Sequence, residues 1–196
     1  MIGRRMRLVV GMTGATGAPL TVRLLGLLGE LGVETHLIVS RWGRSTLRQE
    51  TELRVADLQA LAHTCYKPED QAAAISSGSF RTDGMIVVPC SMKTLAGIRI
   101  GFGESLIGRA ADVTLKERRR LVLVTRETPL STIHLENMLE LSRMGATIFP
   151  PTPAFYNDPH TIDDLVDHLA VRILDQFDLD APTARRWSGL RPQVDR

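Results

Sequence analysis

The sequence predicts a single doubly wound α/β domain, in which one mostly parallel sheet carries helices on both faces. Three observations support this prediction. Short β-rich apolar runs alternate with longer segments of helical periodicity. A glycine-rich turn, residues 11–17, follows the first apolar run. The run 84–88 is apolar throughout, which is typical of a central strand that is buried on both faces.

The individual elements follow from the same pattern in chain order. The predicted strands are 8–10, 33–39, 84–88, 121–124 and 146–149. The predicted helices are 20–31, 42–50, 55–63, 107–117, 134–144 and 161–177. Ser91 and Thr161 stand where helices are expected to begin, because a hydroxyl there accepts a hydrogen bond from the first turn. We expect residues 1–180 to form the domain and residues 181–196 to form an extended C-terminal arm.

Composition excludes several classes of protein. The 196 residues suit one domain, and 43% hydrophobic with 23% charged residues is typical of a globular protein. A net charge of +2, with basic residues spread along the chain, predicts no nucleic-acid partner. Cys65 and Cys90 have no Cys/His cluster around them, so we expect neither a disulfide nor a metal site. The apolar runs have strand length and no signal-peptide pattern occurs, which predicts a cytoplasmic protein without membrane insertion.

In a doubly wound fold, ligands bind where the carboxyl ends of the strands meet. The glycine-rich segment 11–17 therefore lies where a phosphate can approach the backbone at the start of a helix, although a tight turn requires glycine in any case. Hydroxyls of Thr13 and Thr16 would add donors. Ser40 ends the second strand, where a dinucleotide-binding protein carries an acidic residue, so a mononucleotide fits better than NAD.

Three later segments also follow strands. Lys93 and Thr94 would lie in the first turn after Ser91, facing either an anion or solvent. Arg126 and Glu127 can hold a phosphate and move a proton, or form a surface ion pair. Tyr156 lies in a proline-stiffened loop, where its hydroxyl either reaches a phosphate or packs. Trp187, in the arm, is expected to be buried against its own domain or against a neighbouring subunit.

Taken together, these segments resemble the UbiX-type flavin prenyltransferases, which have a Rossmann-like flavoprotein fold. The resemblance extends over nearly the whole chain, and the joint occurrence of its short motifs in this order is highly specific. The motifs are residues 14–17, 75–80, 89–94, 109–113, 115–118, 126–129, 134–138 and 153–156.

The resemblance implies an enzyme that joins a dimethylallyl group to N5 and C6 of reduced FMN without a metal. The product, prenylated FMN, would serve a UbiD-type aromatic acid decarboxylase. FMN and dimethylallyl phosphate would bind at subunit interfaces of a homododecamer. The sequence leaves open whether the prenyl donor is the mono- or the diphosphate, and which aromatic acid the decarboxylase uses.

The same resemblance assigns roles to individual residues. Contacts to FMN would come from Gly14, Ala15, Thr16, Ser40, Ser91, Met92, Lys93, Thr94 and Arg126. The prenyl phosphate would be surrounded by Arg109, Lys116, Arg126, Tyr156, Arg172 and Trp187. The catalytic groups would be Glu50, Glu127, Lys116 and Tyr156. Thr16 replaces the serine of many family members, and its extra methyl group can alter hydrogen bonding or packing against flavin.

Two other functions remain open on the sequence alone. One is a subunit of a phenolic or hydroxyarylic acid decarboxylase, although no carboxylate site separate from the flavin site is evident. The other is a non-catalytic FMN carrier, which would need only the glycine turn and residues 91–94 and would leave Glu50, Glu127, Lys116 and Tyr156 without a role.

Overall fold

The structure is a computed structural model that describes residues 4–184, Arg186, Trp187 and Gly189. The strands within these ranges are β1 (Arg7–Met12), β2 (Glu34–Val39), β3 (Thr64–Tyr66), β4 (Gly84–Cys90), β5 (Arg120–Thr125) and β6 (Thr147–Ile148). The helices are α1 (Ala18–Glu30), α2 (Arg41–Glu50), α3 (Val55–Gln59), α4 (Met92–Arg99), α5 (Leu106–Lys116), α6 (Thr132–Arg143) and α7 (Ile162–Leu174).

The strands form one sheet in the order β3-β2-β1-β4-β5-β6, and every neighbouring pair is parallel. The order reverses between β1 and β4, so the chain leaves these two adjacent strands in opposite directions and opens a crevice at their carboxyl ends. The predicted doubly wound α/β fold is therefore confirmed.

The core lies on both faces of the sheet because successive residues of a strand point to opposite sides. Val10 and Val122 belong to the cluster that packs under α1 and α7. Val9 and Leu123 belong to the second cluster, which α4, α5 and α6 cover. Burial on both faces explains why the central strands are apolar throughout rather than alternating.

The structure corrects the sequence prediction at β3. The predicted helix 55–63 ends at Gln59, and the chain turns so that Thr64–Tyr66 can pair with β2. The His63 amide donates to the Thr35 carbonyl at 3.1 Å, which fixes this turn. The sequence prediction missed β3 because three partly buried residues at the edge of a sheet are too few to show a recognisable strand pattern.

Element ends elsewhere agree closely with the prediction. Thr161 caps α7 as expected: its hydroxyl accepts from the Asp164 amide, and the Asp164 carboxylate accepts from the Thr161 amide. Helix α7 ends at Leu174 and a 3₁₀ turn, Asp175–Phe177, completes the predicted segment. Of the predicted C-terminal arm, Arg185, Ser188 and residues 190–196 lie outside the described residues. No helix within the described ranges is long and apolar enough to span a membrane.

A polar network secures β2 at its first residues. Arg7 donates to both oxygens of Glu34, at 2.7 and 3.1 Å. His36 is 3% exposed and lies 3.0 Å from Glu34 and 2.9 Å from the Tyr66 hydroxyl. Burial lowers the pKa of His36, whereas the hydrogen bond from Arg7 lowers the pKa of Glu34 to about 2. The neutral imidazole can thus donate to Glu34 and accept from Tyr66.

This network predicts a pH-dependent contribution to stability. Because the pKa of Glu34 falls from 4.5 to about 2 on folding, its contribution is complete above pH 4.5 and is lost as the pH falls towards 2. We expect Glu34→Gln to lower the free energy of unfolding by about 1 to 2 kcal/mol at neutral pH, and the difference from the native protein to shrink on acidification. Urea unfolding between neutral pH and pH 3 measures this.

Glu30→Gln is the matched control for that experiment, because Glu30 is 56% exposed and its ion pair with Arg23 spans 3.5 Å. Such a surface pair contributes about 0 to 1 kcal/mol. A difference between Glu34→Gln and the native protein that stays constant with pH would contradict the assigned role of the ion pair.

Candidate active site

A cavity of about 300 Å³ opens at the carboxyl edge of the sheet, at the reversal between β1 and β4. Its wall contains five of the predicted cofactor-binding residues, Gly14, Ser40, Ser91, Lys93 and Thr94. The remaining lining residues are Thr13, Trp42, Gly97, Ile98, Phe102, Glu104, Ser105 and Gly108. Sequence reasoning therefore located this cavity but missed the part of its wall that the segment 97–108 provides.

Three helices begin at the wall of this cavity, each with a serine at its N-cap. The hydroxyl of Ser40 accepts from the Gly43 amide at 3.0 Å, that of Ser91 from the Thr94 amide at 3.3 Å, and that of Ser105 from the Gly108 amide at 3.2 Å.

The first turn of a helix presents backbone N–H groups and a partial positive charge. Three such ends at one cavity, with Lys93 beside them, supply N–H donors and positive charge that suit an anion such as a phosphate. Ser40 and Ser91 were predicted. Ser105 was missed because it follows a loop rather than a strand.

The Thr13 hydroxyl ties the two loops of the crevice together. Thr13 is 2% exposed, and its hydroxyl donates to the Pro89 carbonyl at 2.7 Å. The same oxygen accepts from the Ser91 amide at 2.9 Å. The predicted role of Thr13 as a phosphate donor is therefore corrected: its hydroxyl is used to position the start of α4.

Trp42 forms an aromatic side of the cavity that sequence reasoning did not identify. A Cβ atom at Gly14 would lie 2.3 Å from the Trp42 Cβ, so only glycine allows this approach. A Cβ atom at Gly43 would meet the Met12 carbonyl at 2.7 Å, which holds α2 tightly against the end of β1. Trp42 is 65% exposed, so most of its ring is free to contact a ligand or another chain.

Glu50 occupies the N terminus of α1. One oxygen of its carboxylate accepts from the amides of Gly17 and Ala18, both at 2.8 Å. The N-cap residue itself, Gly17, has no side chain to do this. The expectation that the N terminus of α1 receives a phosphate is corrected accordingly, because a carboxylate of this chain already satisfies those donors. The helix N termini at the cavity are those of α2, α4 and α5.

Ala15, Thr16 and Met92 flank the cavity without lining it. Thr16 is exposed in the glycine turn, whereas Met92 packs against the apolar cluster under α4. The Arg126 amide donates to the Cys90 carbonyl at 3.3 Å, so the loop after β5 starts beside Ser91. Arg126 and Glu127 are both exposed there.

Two buried groups lie close to this edge. Complete burial raises the pKa of the Cys90 thiol to about 12, which leaves it protonated and agrees with the predicted packing role. The Thr125 hydroxyl, 3% exposed at the end of β5, is a buried oxygen for which the described part of the chain provides no hydrogen-bond partner.

Tyr156 and Trp187 lie together. Their ring centroids are 5.4 Å apart with an interplanar angle of 78°, an edge-to-face contact. Trp187 thus packs on its own domain in this chain, which is one of the two placements expected for it, and 56% of the residue stays exposed.

Lys116 and Arg172 lie at the opposite edge of the sheet from the cavity. Both stand in the last turns of helices that run back towards the amino ends of the strands. Arg120, the first residue of β5, donates to the Gln176 carbonyl at 3.0 Å and so places the end of α7 there. Within one chain these two cations are separated from Gly14 and Ser91.

Each of three predicted phosphate-binding cations has a carboxylate partner. Arg109 bonds to Asp112 at 2.7 Å, and its Nε donates to the Ser76 carbonyl. Lys116 pairs with Glu117 and lowers the pKa of that carboxyl, and Arg172 pairs with Asp175. Among the residues that the structure describes, no group of three or more His, Cys, Asp or Glu is arranged to hold a metal ion.

The strand order and the crevice at its reversal define a doubly wound protein of the kind that binds nucleotides, and comparisons with known proteins give the family. The family model named Flavoprotein matches residues 3–174. A probable UbiX-like flavin prenyltransferase from Streptomyces sp. (strain D7) is 71% identical over 187 residues, which are 95% of this chain and 94% of the relative.

Two solved structures are similar over almost their whole length. AnUbiX in complex with FMN and dimethylallyl pyrophosphate has a TM-score of 0.95 and 58% identity, covering 96% of this chain and 100% of that one. The dodecameric FMN-dependent UbiX-like decarboxylase of Escherichia coli O157:H7 has a TM-score of 0.93 and 65% identity, covering 94% and 100%. The chain belongs to the flavoprotein family and, within it, to the UbiX-like flavin prenyltransferases.

The contact between Glu50 and α1 predicts a cost in stability. Glu50→Ala removes the acceptor for two helix N–H groups and a charge that interacts favourably with the helix dipole. We expect the free energy of unfolding to fall by about 1 to 2 kcal/mol, and Tm to fall by roughly 2–4 °C for each kcal/mol. Glu50→Gln should cost less, because an amide oxygen still accepts.

Gln49→Ala is the matched control, since Gln49 is an exposed neighbour on the same helix. Calorimetry of the three variants tests the assignment. Equal melting temperatures for Glu50→Ala and Gln49→Ala would show that the carboxylate does not stabilise the start of α1.

Proposed function

We propose that the protein joins a dimethylallyl group to reduced FMN and supplies the prenylated flavin to a UbiD-type aromatic acid decarboxylase. The observation that carries this proposal is the meeting of three serine-capped helix N termini at one cavity beside a glycine turn. The similarity to a structure that binds FMN together with a prenyl diphosphate supports it. As part of the same proposal, the protein acts in the cytoplasm as a homododecamer without a metal.

The cavity fits FMN because its polar groups suit a single phosphate. We assign the phosphate to the N termini of α2, α4 and α5, with Lys93 and Arg126 as nearby cations. No acidic residue follows β2, where an adenosine ribose would require one, and Ser40 stands there instead. Gly14 and Trp42 then form a narrow side against which a flat ring can lie. Ala15, Thr16, Met92 and Thr94 complete the proposed contacts.

Reduced FMN, when bound, supplies the electron-rich ring atoms that accept the prenyl group. The chain's own residues bind and orient the reactants and move protons. Glu127 follows β5 beside Arg126, where an exposed carboxylate can take up a proton. Glu50 is held rigidly by two backbone amides next to the glycine turn, so its remaining oxygen lies in a fixed position.

The prenyl phosphate requires cations and a hydroxyl at its leaving group. Arg126 lies in the loop after β5, whereas Lys116 and Arg172 lie at the other edge of the same chain. We propose that the site forms between neighbouring subunits of the dodecamer: one chain contributes Tyr156, Arg172 and, as an aromatic wall, Trp187, and its neighbours contribute Arg109, Lys116 and Arg126. The separation of Lys116 and Arg172 from Arg126 within one chain supports an interface site.

The experiment that tests the function mixes purified protein anaerobically with reduced FMN and dimethylallyl phosphate, and in parallel with the diphosphate. The mass of the flavin is then measured. Flavin heavier by one dimethylallyl group is the expected result. Release of carbon dioxide from a phenolic acid by the protein alone would favour a decarboxylase subunit. Tight FMN binding with no change in flavin mass would favour a carrier.

Glu127→Gln separates binding from chemistry in the same assay. The amide keeps the size and polarity of the side chain but cannot take up a proton. We expect FMN affinity to stay within about twofold and single-turnover prenylation to slow by about 10²-fold or more. Glu136→Gln, on the exposed face of α6, is the control. Native turnover in Glu127→Gln would show that Glu127 takes no part in proton transfer.

The phosphate assignment predicts that a cap serine at the cavity contributes to FMN affinity. Loss of a hydrogen bond to a charged phosphate costs about 1.5 kcal/mol, so Ser91→Ala should weaken FMN binding about tenfold. Thr161→Ala removes a cap hydroxyl of the same type from α7, away from the cavity, and should leave FMN affinity unchanged. Calorimetric titration with FMN, FAD and NAD measures this, and equal affinities for FMN and NAD would contradict a single-phosphate site.

A further inference from the structure

The ring of Tyr156 is held by two aromatic neighbours, one of which has no assigned role. Besides Trp187, the imidazole of His168 makes an edge-to-face contact with Tyr156, with centroids 5.8 Å apart and an interplanar angle of 90°. Contacts of this geometry are favourable beyond the area that they bury. Tyr156 itself remains 50% exposed, so these two rings supply much of what fixes its orientation.

His168 is in turn fixed by Asn157, the residue after Tyr156. The Asn157 amide nitrogen lies 2.6 Å from His168 Nδ1. Burial, together with the nearby charge of Arg172, lowers the pKa of His168, so the ring is neutral at neutral pH and Nδ1 can accept this hydrogen bond. The chain segment that carries Tyr156 is therefore bound to α7 through both the ring contact and the hydrogen bond.

The same face of α7 carries Arg172, one turn after His168. Arg172 pairs with Asp175, and Arg186 also bonds to Asp175 at 2.9 Å. Arg186 directly precedes Trp187, and Trp187 contacts Tyr156. Arg172 is therefore linked to Tyr156 through Asp175, Arg186 and Trp187. These contacts connect the Tyr156 hydroxyl, the Arg172 guanidinium and the Trp187 indole, which are all assigned to the proposed prenyl-phosphate site.

His168 also borders a large open volume. A cavity of about 760 Å³ lies between α1 and α7, and both Asn157 and His168 are part of its wall. If the imidazole were removed, the Tyr156 ring would have free volume behind it instead of packed atoms. The position of the hydroxyl then becomes poorly defined.

We propose that His168 is a positioning residue for the prenyl phosphate: its ring holds Tyr156 in edge-to-face contact and thereby orients the phenol. This inference rests on the proposed function for its kinetic consequence, but the contact itself does not depend on that function. His168 need not touch the substrate. Another aromatic ring at position 168 should hold Tyr156 in the same orientation, whereas a side chain without a ring should not.

The kinetic test compares His168→Ala and His168→Gln, which lack the ring shape, with His168→Phe, which keeps it. We expect the first two to raise KM for dimethylallyl phosphate about fivefold to tenfold, because a misplaced hydrogen-bond donor binds the phosphate less well. FMN affinity, which depends on the separate cavity, should not change. His168→Phe should restore a KM close to the native value.

A spectroscopic test is independent of catalysis. Trp42 and Trp187 are the two tryptophans of the sequence, so Trp42→Phe leaves Trp187 as the sole reporter. In flavin-free, full-length Trp42→Phe protein, adding His168→Ala or His168→Gln should shift the Trp187 emission to longer wavelength, because the Tyr156 ring loosens beneath the indole. Adding His168→Phe should not.

The outcomes separate this inference from the function on which it builds. If native protein makes no prenylated flavin but the emission shifts as expected, the proposed function fails and the positioning of Tyr156 stands. If all three His168 variants keep native KM and native emission, the positioning role is overturned. It is also overturned if His168→Phe is as impaired as His168→Ala, or if FMN affinity falls while KM rises, because the effect would then be a general loss of structure.

Discussion

The crevice depends on one buried hydroxyl. Thr13 Oγ1 donates to the Pro89 carbonyl and accepts from the Ser91 amide, and so joins the loops after β1 and β4 at the point where the strand order reverses. A reversal by itself only lets two loops diverge. The shared hydroxyl sets how far apart they begin, and it places the first residue of α4 at the cavity wall. The position of Ser91 at the cavity wall thus depends on a residue 78 positions earlier in the chain.

Glu50 is the reason why we place the proposed phosphate site away from α1, the helix that follows the glycine turn. In many nucleotide-binding folds the first helix N terminus receives the phosphate. Here a carboxylate satisfies the amides of Gly17 and Ala18, and a dianion placed beside it would be repelled. The N termini of α2, α4 and α5 are therefore the ones to which we assign the phosphate. Glycine remains necessary in the turn because Gly14 lies against Trp42.

Sequence reasoning succeeded where the cause of a feature was local. The Thr161 cap, the Ser91 cap and the apolar strand β4 each follow from a few adjacent residues. It failed where the cause was distant. Strand β3 exists because His63 bonds to Thr35, and the role of Glu50 depends on amides more than 30 residues away. Ser105 was missed because no strand precedes its loop. The side-chain amide of Gln71 holds that loop by donating to the Gly103 and Glu104 carbonyls.

The distribution of cations over two edges of the chain has an energetic consequence. In the single chain Lys116, Arg109 and Arg172 are each neutralised by a carboxylate close in sequence: Glu117, Asp112 and Asp175. At least one side chain of each pair is partly exposed, and such pairs contribute only about 0 to 1 kcal/mol to the free energy of unfolding. In the proposed site, exchanging one of these carboxylates for a prenyl phosphate would therefore cost little, whereas an unpaired cluster of three cations would repel itself before the substrate arrived. Cations that stay paired until subunits assemble would thus allow the proposed basic phosphate site to be built from chains that are themselves stable.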